Sequence, residues 1–185
     1  MKQPERGFSL LELLLVVVII GLGVAIVGLS AGDHRPQQLR VDAREFVNLT
    51  TLVAEEAVLT REPWGVQIYT VRPDKKDEDR FRIAYRWLHF RGDKSGWQVD
   101  APRDLPPGGS FAEGVLGNLE IEGSAELIGP LPDDRPPAPT IWLAPGGDVT
   151  PFFLHLFFAG DENGGIDVRA DELGRIQLDI KNNES

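Results

Sequence analysis

The chain has 185 residues, 42% hydrophobic and 26% charged, with four tryptophans and nine phenylalanines; this suits one folded domain plus an appended segment and argues against wholesale disorder. A formal net charge of −10 and a pI near 4.8 disfavour duplex nucleic acid or an anionic lipid surface as a partner of the body. With no cysteine, disulfides and thiolate metal sites are excluded, and an oxidising periplasm is compatible though not required.

Met1–Gly7 is short and polar, with Lys2 and Arg6 against Glu5. Phe8–Leu29 follows, 22 residues that are apolar apart from Ser9, Glu12 and the glycines Gly21, Gly23 and Gly28. A helix of that length rises about 33 Å, enough for a hydrocarbon core of ~30 Å. Basic residues precede the span and the first acid beyond it is Asp33, so the N-terminus is expected in the cytoplasm and the remainder outside.

Glu12 is the odd residue, because a carboxylate in a span costs about 2.5–3.5 kcal/mol even on lenient scales. Taken alone it could snorkel to the cytoplasmic interface. A secretory signal cut near Ala31 is the other simple account, but Gly28-Leu29-Ser30 is a poor small-x-small site. The order Gly7-Phe8-Ser9-Leu10-Leu11-Glu12 resembles the class III signal of type IV pilins and type II secretion pseudopilins. That resemblance implies cleavage between Gly7 and Phe8 by a prepilin peptidase, N-methylation of Phe8, and Glu12 as the acid of the mature helix. It also implies helix assembly in a filament, where Glu12 of one subunit pairs with the new amine of a neighbour. The expected organisation is a leader over 1–7, a transmembrane and assembly helix over 8–30, and a periplasmic body over 31–185.

Ser30–Pro36 reads as a bend, since His34-Arg35-Pro36 disfavours helix before the proline. From about Pro36 to Thr60, Leu39, Ala43, Phe46, Thr50, Val53 and Ala57 recur at alternating spacings of four and three, with Val47, Ala54 and Val58 widening the face. Pro63 ends this amphipathic helix. The period then becomes two, predicting strands over Trp64–Val71, Asp79–Phe90, Gly96–Val99, Leu119–Glu122, Thr140–Leu143, Phe152–Phe158, Gly165–Val168 and Arg175–Ile180. Breakers crowd Pro106-Pro107-Gly108-Gly109 and Pro130–Pro139, the second read as an exposed loop. The expected fold class is α+β: a long N-terminal helix, half membrane-spanning and half amphipathic, packed against a β-rich antiparallel sheet or sandwich.

Glu62-Pro63-Trp64-Gly65-Val66, Tyr85-Arg86-Trp87 with Trp97, and Pro145-Gly146-Gly147-Asp148-Val149-Thr150-Pro151-Phe152 resemble the minor pseudopilin H family of type II secretion, the GspH/FimT group. The resemblance implies a low-copy subunit at or near the tip of a periplasmic pseudopilus that drives export through an outer-membrane secretin. Its implied partners are the prepilin peptidase, the I, J and K types of minor pseudopilin, the major pseudopilin and the inner membrane. The alternative within the same superfamily is a minor pilin of a type IV pilus, serving pilus assembly or DNA uptake.

No enzyme constellation is found, and neither a cofactor nor a metal is expected. His34, His89 and His155 are scattered, and there is no P-loop, dinucleotide fingerprint, nucleophile elbow or zinc-protease motif. Asp161–Asp167 with Glu172 partly mimics a calcium loop, but Gly165 and Ile166 stand where a ligand and a glycine belong; a Gly-rich turn between strands is the expectation. Arg80, Arg82, Arg86, Arg91 and Lys94 cluster near Trp87 and Trp97, yet Asp77, Glu78, Asp79 and Asp93 interleave, which favours a solvated strand face over nucleic acid. Trp64 and Trp142 are the candidate surface aromatics for contacts with sister subunits.

Overall fold

The computed structural model describes residues 35–72, 81–92, 96–132, 135–162, 164–171 and 173–180. The expected leader and span, with Gly7, Phe8 and Glu12, lie outside the described residues, as do most of the expected bend and Arg80, Lys94 and Glu172. Among the described residues no helix is long and apolar enough to cross a membrane.

Helix α1 runs Arg35–Thr60. It therefore begins one residue before the expected start at Pro36 and takes in Arg35 from the expected bend: a proline in the first turn forfeits only an N–H that would have no helical acceptor. Its buried residues are Leu39, Ala43, Phe46, Thr50, Val53 and Ala57, the seam that the spacing predicts. Thr50 is tolerated there because its hydroxyl donates to the Phe46 carbonyl at 2.6 Å. Val58, expected on the same face, is instead 45% exposed, since it stands at the edge of the stripe in the last turn. Arg61 adopts a left-handed φ of 58° and closes the helix just before Pro63.

Among the described residues ten strands follow, in two antiparallel sheets. In the first, β7 (Ile141–Leu143), β1 (Trp64–Val71), β2 (Arg82–Arg91) and β3 (Gly96–Val99) lie in that order, and β4 (Gly108–Ser110) shares the outer edge of β2 with β3. The second sheet runs β10 (Ile176–Ile180), β9 (Ile166–Ala170), β8 (Phe152–Phe158), β5 (Val115–Ile121) and β6 (Ser124–Glu126). Helix α1 packs on β1 and β7 of one sheet and on β9 and β10 of the other. One core results, with Phe46, Trp87, Phe111, Leu154 and Leu156 among its fully buried side chains.

Three departures from the expected strands have physical causes. The strand expected at Leu119–Glu122 is Val115–Ile121, and Glu122 (φ 50°) with Gly123 (φ 78°) forms the two-residue turn into β6; both positive angles fit the twist of a tight hairpin. Gly108-Gly109, read as a breaker, belongs to β4. A Cβ on Gly109 would strike the Tyr85 ring, so glycine there permits close approach of the strand rather than ending one. Finally, β2 is buried on both faces at Ala84 and Leu88. The loop after Pro130 returns over this side: a Cβ on Gly65, the register partner of Leu88, would collide with the Pro139 ring. The loop's described residues are exposed or half-buried, and it is pinned at both ends, by Thr70 N–H to the Gly129 carbonyl at 2.9 Å and Thr140 N–H to the Val66 carbonyl at 2.7 Å.

Candidate functional site

No three His, Asp or Glu side chains come together as a metal-holding group among the described residues. The calcium-like stretch is a turn joining β8 to β9, and Asp167 does not belong to its surface: it is buried in β9 with its Oδ1 2.5 Å from His155 Nδ1. His155 Nε2 faces the Glu162 carbonyl at 3.2 Å. This histidine thus ties two neighbouring strands to the turn that connects them, a structural use of a buried polar pair. Gly165 in that turn has a φ of 106° and lies against the Leu156 carbonyl, where no side chain fits.

At the exit of α1, Trp64 is buried rather than exposed and stacks on His89 with ring centroids 4.4 Å apart. His89 Nε2 lies 2.8 Å from Glu62, and its Nδ1 lies 3.6 Å from Asp100. Asp100 also accepts from Arg91 at 2.9 Å. Desolvation pushes the Asp100 carboxyl up, but the Arg91 hydrogen bond, the Ala101 N–H, the Arg91 charge and His89 together outweigh it and hold it below the ordinary carboxylate value. A depressed folded value means that this stabilisation is present above the unfolded value of about 3.9 and is lost as pH falls through the folded one. The expected result is that wild type exceeds Asp100→Asn in stability at neutral pH by a surface-pair margin, about 0–1 kcal/mol. The gap closes below about pH 4, which paired melts across pH check.

The described arginines of the β2 region are engaged. Arg82 meets Glu113 at 3.3 Å, Arg86 donates to Gln67 at 2.9 Å and lies over the Tyr69 ring, and Arg91 pairs with Asp100. Trp87 is fully buried, its indole N–H donating to the Pro106 carbonyl at 2.8 Å. A basic stripe with free aromatic faces is not what this strand presents.

Among the described residues, two exposed apolar features bear on assembly. Val41, Leu52 and Leu59 are 48%, 46% and 79% exposed and fall on one line of α1, opposite the buried seam, at ~100° per residue. The other is Trp142, 52% exposed between buried Ile141 and Leu143. Strict alternation along β7 separates Trp142 from Trp64 as the surface aromatic; its three-residue length hid that signal in the sequence.

Residues 2–28 match the family described as the prokaryotic N-terminal methylation motif. The chain is 30% identical to the type II secretion system protein H of Aeromonas hydrophila, over 96% of its own length and 94% of the relative's. It is 29% identical to the protein of the same name from Vibrio cholerae, over 94% and 93%. In fold it resembles the crystal structure of the minor pseudopilin EpsH from the type II secretion system of Vibrio cholerae, with a TM-score of 0.60 at 26% identity, covering 81% of this chain and 99% of that one. A second structure of EpsH gives 0.57 at 27% identity, over 80% and 99%.

Proposed function

The chain belongs to the type II secretion system protein H family, and on that premise we propose how this minor pseudopilin works: as a prepilin-processed subunit of the inner membrane that acts by assembly, at or near the tip of the pseudopilus, and not by chemistry of its own. The leader 1–7 is removed between Gly7 and Phe8 by a prepilin peptidase, and Phe8 becomes the N-methylated terminus. Residues 8–30 anchor the subunit in the inner membrane and then pack in the filament, while the body from residue 31 faces the periplasm. Its partners in this reading are the major pseudopilin and the minor pseudopilins of the I, J and K types. The observation that carries the reading is a methylation motif over residues 2–28 joined to a body that shares the EpsH fold.

The exposed stripe Val41, Leu52, Leu59 suits this role. It is narrow and interrupted by Glu45, Asn48 and Glu55, so α1 meets water while the subunit waits in the membrane and loses little by being covered in the filament. The relatives above carry the secretion-system name, which favours secretion over the type IV pilus alternative. Intact-mass analysis of the native membrane form tests the reading: the expected species begins at a methylated Phe8. An intact Met1, or a start near Ala31, would overturn it.

A further inference from the structure

Trp142 stands between two depressions of the body surface. On one side is an open groove of about 720 Å³ whose walls include Glu122, Asp148, Thr150 and Pro151. On the other is a depression of about 370 Å³ bounded by Pro63, Phe90, Trp97 and Pro139. Trp142 and Thr150 line both, so the indole is a ridge that one ligand can straddle.

The fold does not require an indole here. Position 142 faces outward from a three-residue strand, and a threonine or lysine would serve an edge at least as well. Nor does the backbone of β7 offer itself to an added strand at this point: Trp142 N–H donates to Thr150 Oγ1 at 3.1 Å, and its carbonyl accepts the Thr150 N–H at 2.9 Å. Recognition at this place is therefore through side chains. Glu122 occupies a left-handed position (φ 50°) of a turn that asparagine, aspartate or glycine adopts at less cost. Its N–H is bonded to the Pro151 carbonyl at 3.0 Å, which fixes the turn against the wall of the groove.

The charge pattern is complementary to a cation. Asp100, Asp171 and Asp179 are each met by an arginine, and so is Glu113. Glu122 and Asp148, like Glu120, Glu126 and other surface acids, have no ion pair among the described residues; what sets these two apart is that both line the groove beside the exposed indole. An aromatic face flanked by two unneutralised carboxylates is suited to a guanidinium, which stacks on the ring and keeps N–H groups free for the acids. An ammonium gains less because it is compact and strongly hydrated. The aromatic and proline lining across the ridge suits the apolar neighbours of that arginine in an extended segment.

We propose that this groove is a docking site for an arginine-bearing extended segment of a sister pseudopilin, with the guanidinium over Trp142 between Glu122 and Asp148. The inference rests on the assembly reading given above and adds the chemistry of the partner.

The test uses the full chain in detergent micelles, with indole nitrogens labelled for NMR, and a capped six-residue peptide carrying two arginines as the probe. The Trp142 indole signal, identified by its loss in Trp142→Ala, is expected to shift to saturation. Affinity is expected to fall at least about tenfold in Trp142→Ala, in the double variant Glu122→Gln with Asp148→Asn, and with lysines in the peptide. It stays unchanged in Glu55→Gln with Glu56→Gln, which removes the same charge from α1. A purified sister pseudopilin is expected to compete with the peptide. Unchanged affinity in the groove variants, or an equal loss in the α1 control, overturns the proposal. So does co-purification of sister subunits that leaves the peptide undisplaced, and in that case the assembly reading stands while the groove assignment falls. Failure of every sister subunit to associate overturns both.

Discussion

Replacing Phe46 by alanine is expected to destabilise the body by about 3–5 kcal/mol. Phe46 is fully buried on α1 and packs edge-on to Tyr85, with centroids 4.8 Å apart, and against Phe111 at 5.7 Å; Tyr85 and Phe111 are themselves 5.8 Å apart. These three rings join the helix to β2 and to the segment leading into β5, so truncation opens a cavity between two aromatic rings. Tyr85 adds to the cost. Burial, and then the charges of Glu45 and Asp42, hold its phenol well above the ordinary value, and the neutral ring depends on its apolar surroundings. For a body of this size the loss corresponds to a melting temperature lower by roughly 6–20 °C. Leu52→Ala on the opposite face, where the side chain is 46% exposed, is the control, with an expected change within about 0.5 kcal/mol. Thermal denaturation of the full chain in detergent decides the matter. Equal melting temperatures for the two variants would remove Phe46 from its place at the junction of helix and sheet.

How far the sequence discloses this architecture depends on which force sets each position. The seam Leu39 to Ala57 was legible because burial of one helix face imposes its own period on the residues. The strands Trp64–Val71, Gly96–Val99 and Phe152–Phe158 were legible to the residue, because β-branched and aromatic runs stop at Pro, Gly or charge. β4 was not, since its glycines answer to the Tyr85 ring 24 residues away in sequence, and nothing local announces that contact. Trp64 and Trp142 look alike as isolated tryptophans. One stacks on His89 from β2 and the other stands on an outward-facing rung, a difference made by pairing register. The groove beside Trp142 draws Glu122 from one hairpin and Asp148 from another, so no sequence motif can contain it. The proposed assembly signal, by contrast, is entirely local: Gly7, Phe8 and Glu12 fall within six consecutive residues.

That locality makes Glu12→Ala the most direct test of assembly. Insertion is expected to be unimpaired, since removing a carboxylate from the proposed span relieves about 2.5–3.5 kcal/mol of insertion cost. Cleavage is expected to be unimpaired as well, because Gly7 and Phe8 are untouched. Incorporation into the pseudopilus should fall at least tenfold. In the filament the Phe8 amine of a neighbouring subunit would be buried in apolar surroundings without its acid, and breaking such a pair from one side costs about 3–5 kcal/mol. Glu12→Asp should recover part of the loss, because it restores the charge on a shorter arm, whereas Glu12→Gln should not. The measurement is the ratio of assembled to membrane-resident protein in the isolated complex, with the processed mass recorded for each variant. Correct processing with normal incorporation of Glu12→Ala would sink the pairing, because the acid would then have no function that offsets its cost in the membrane.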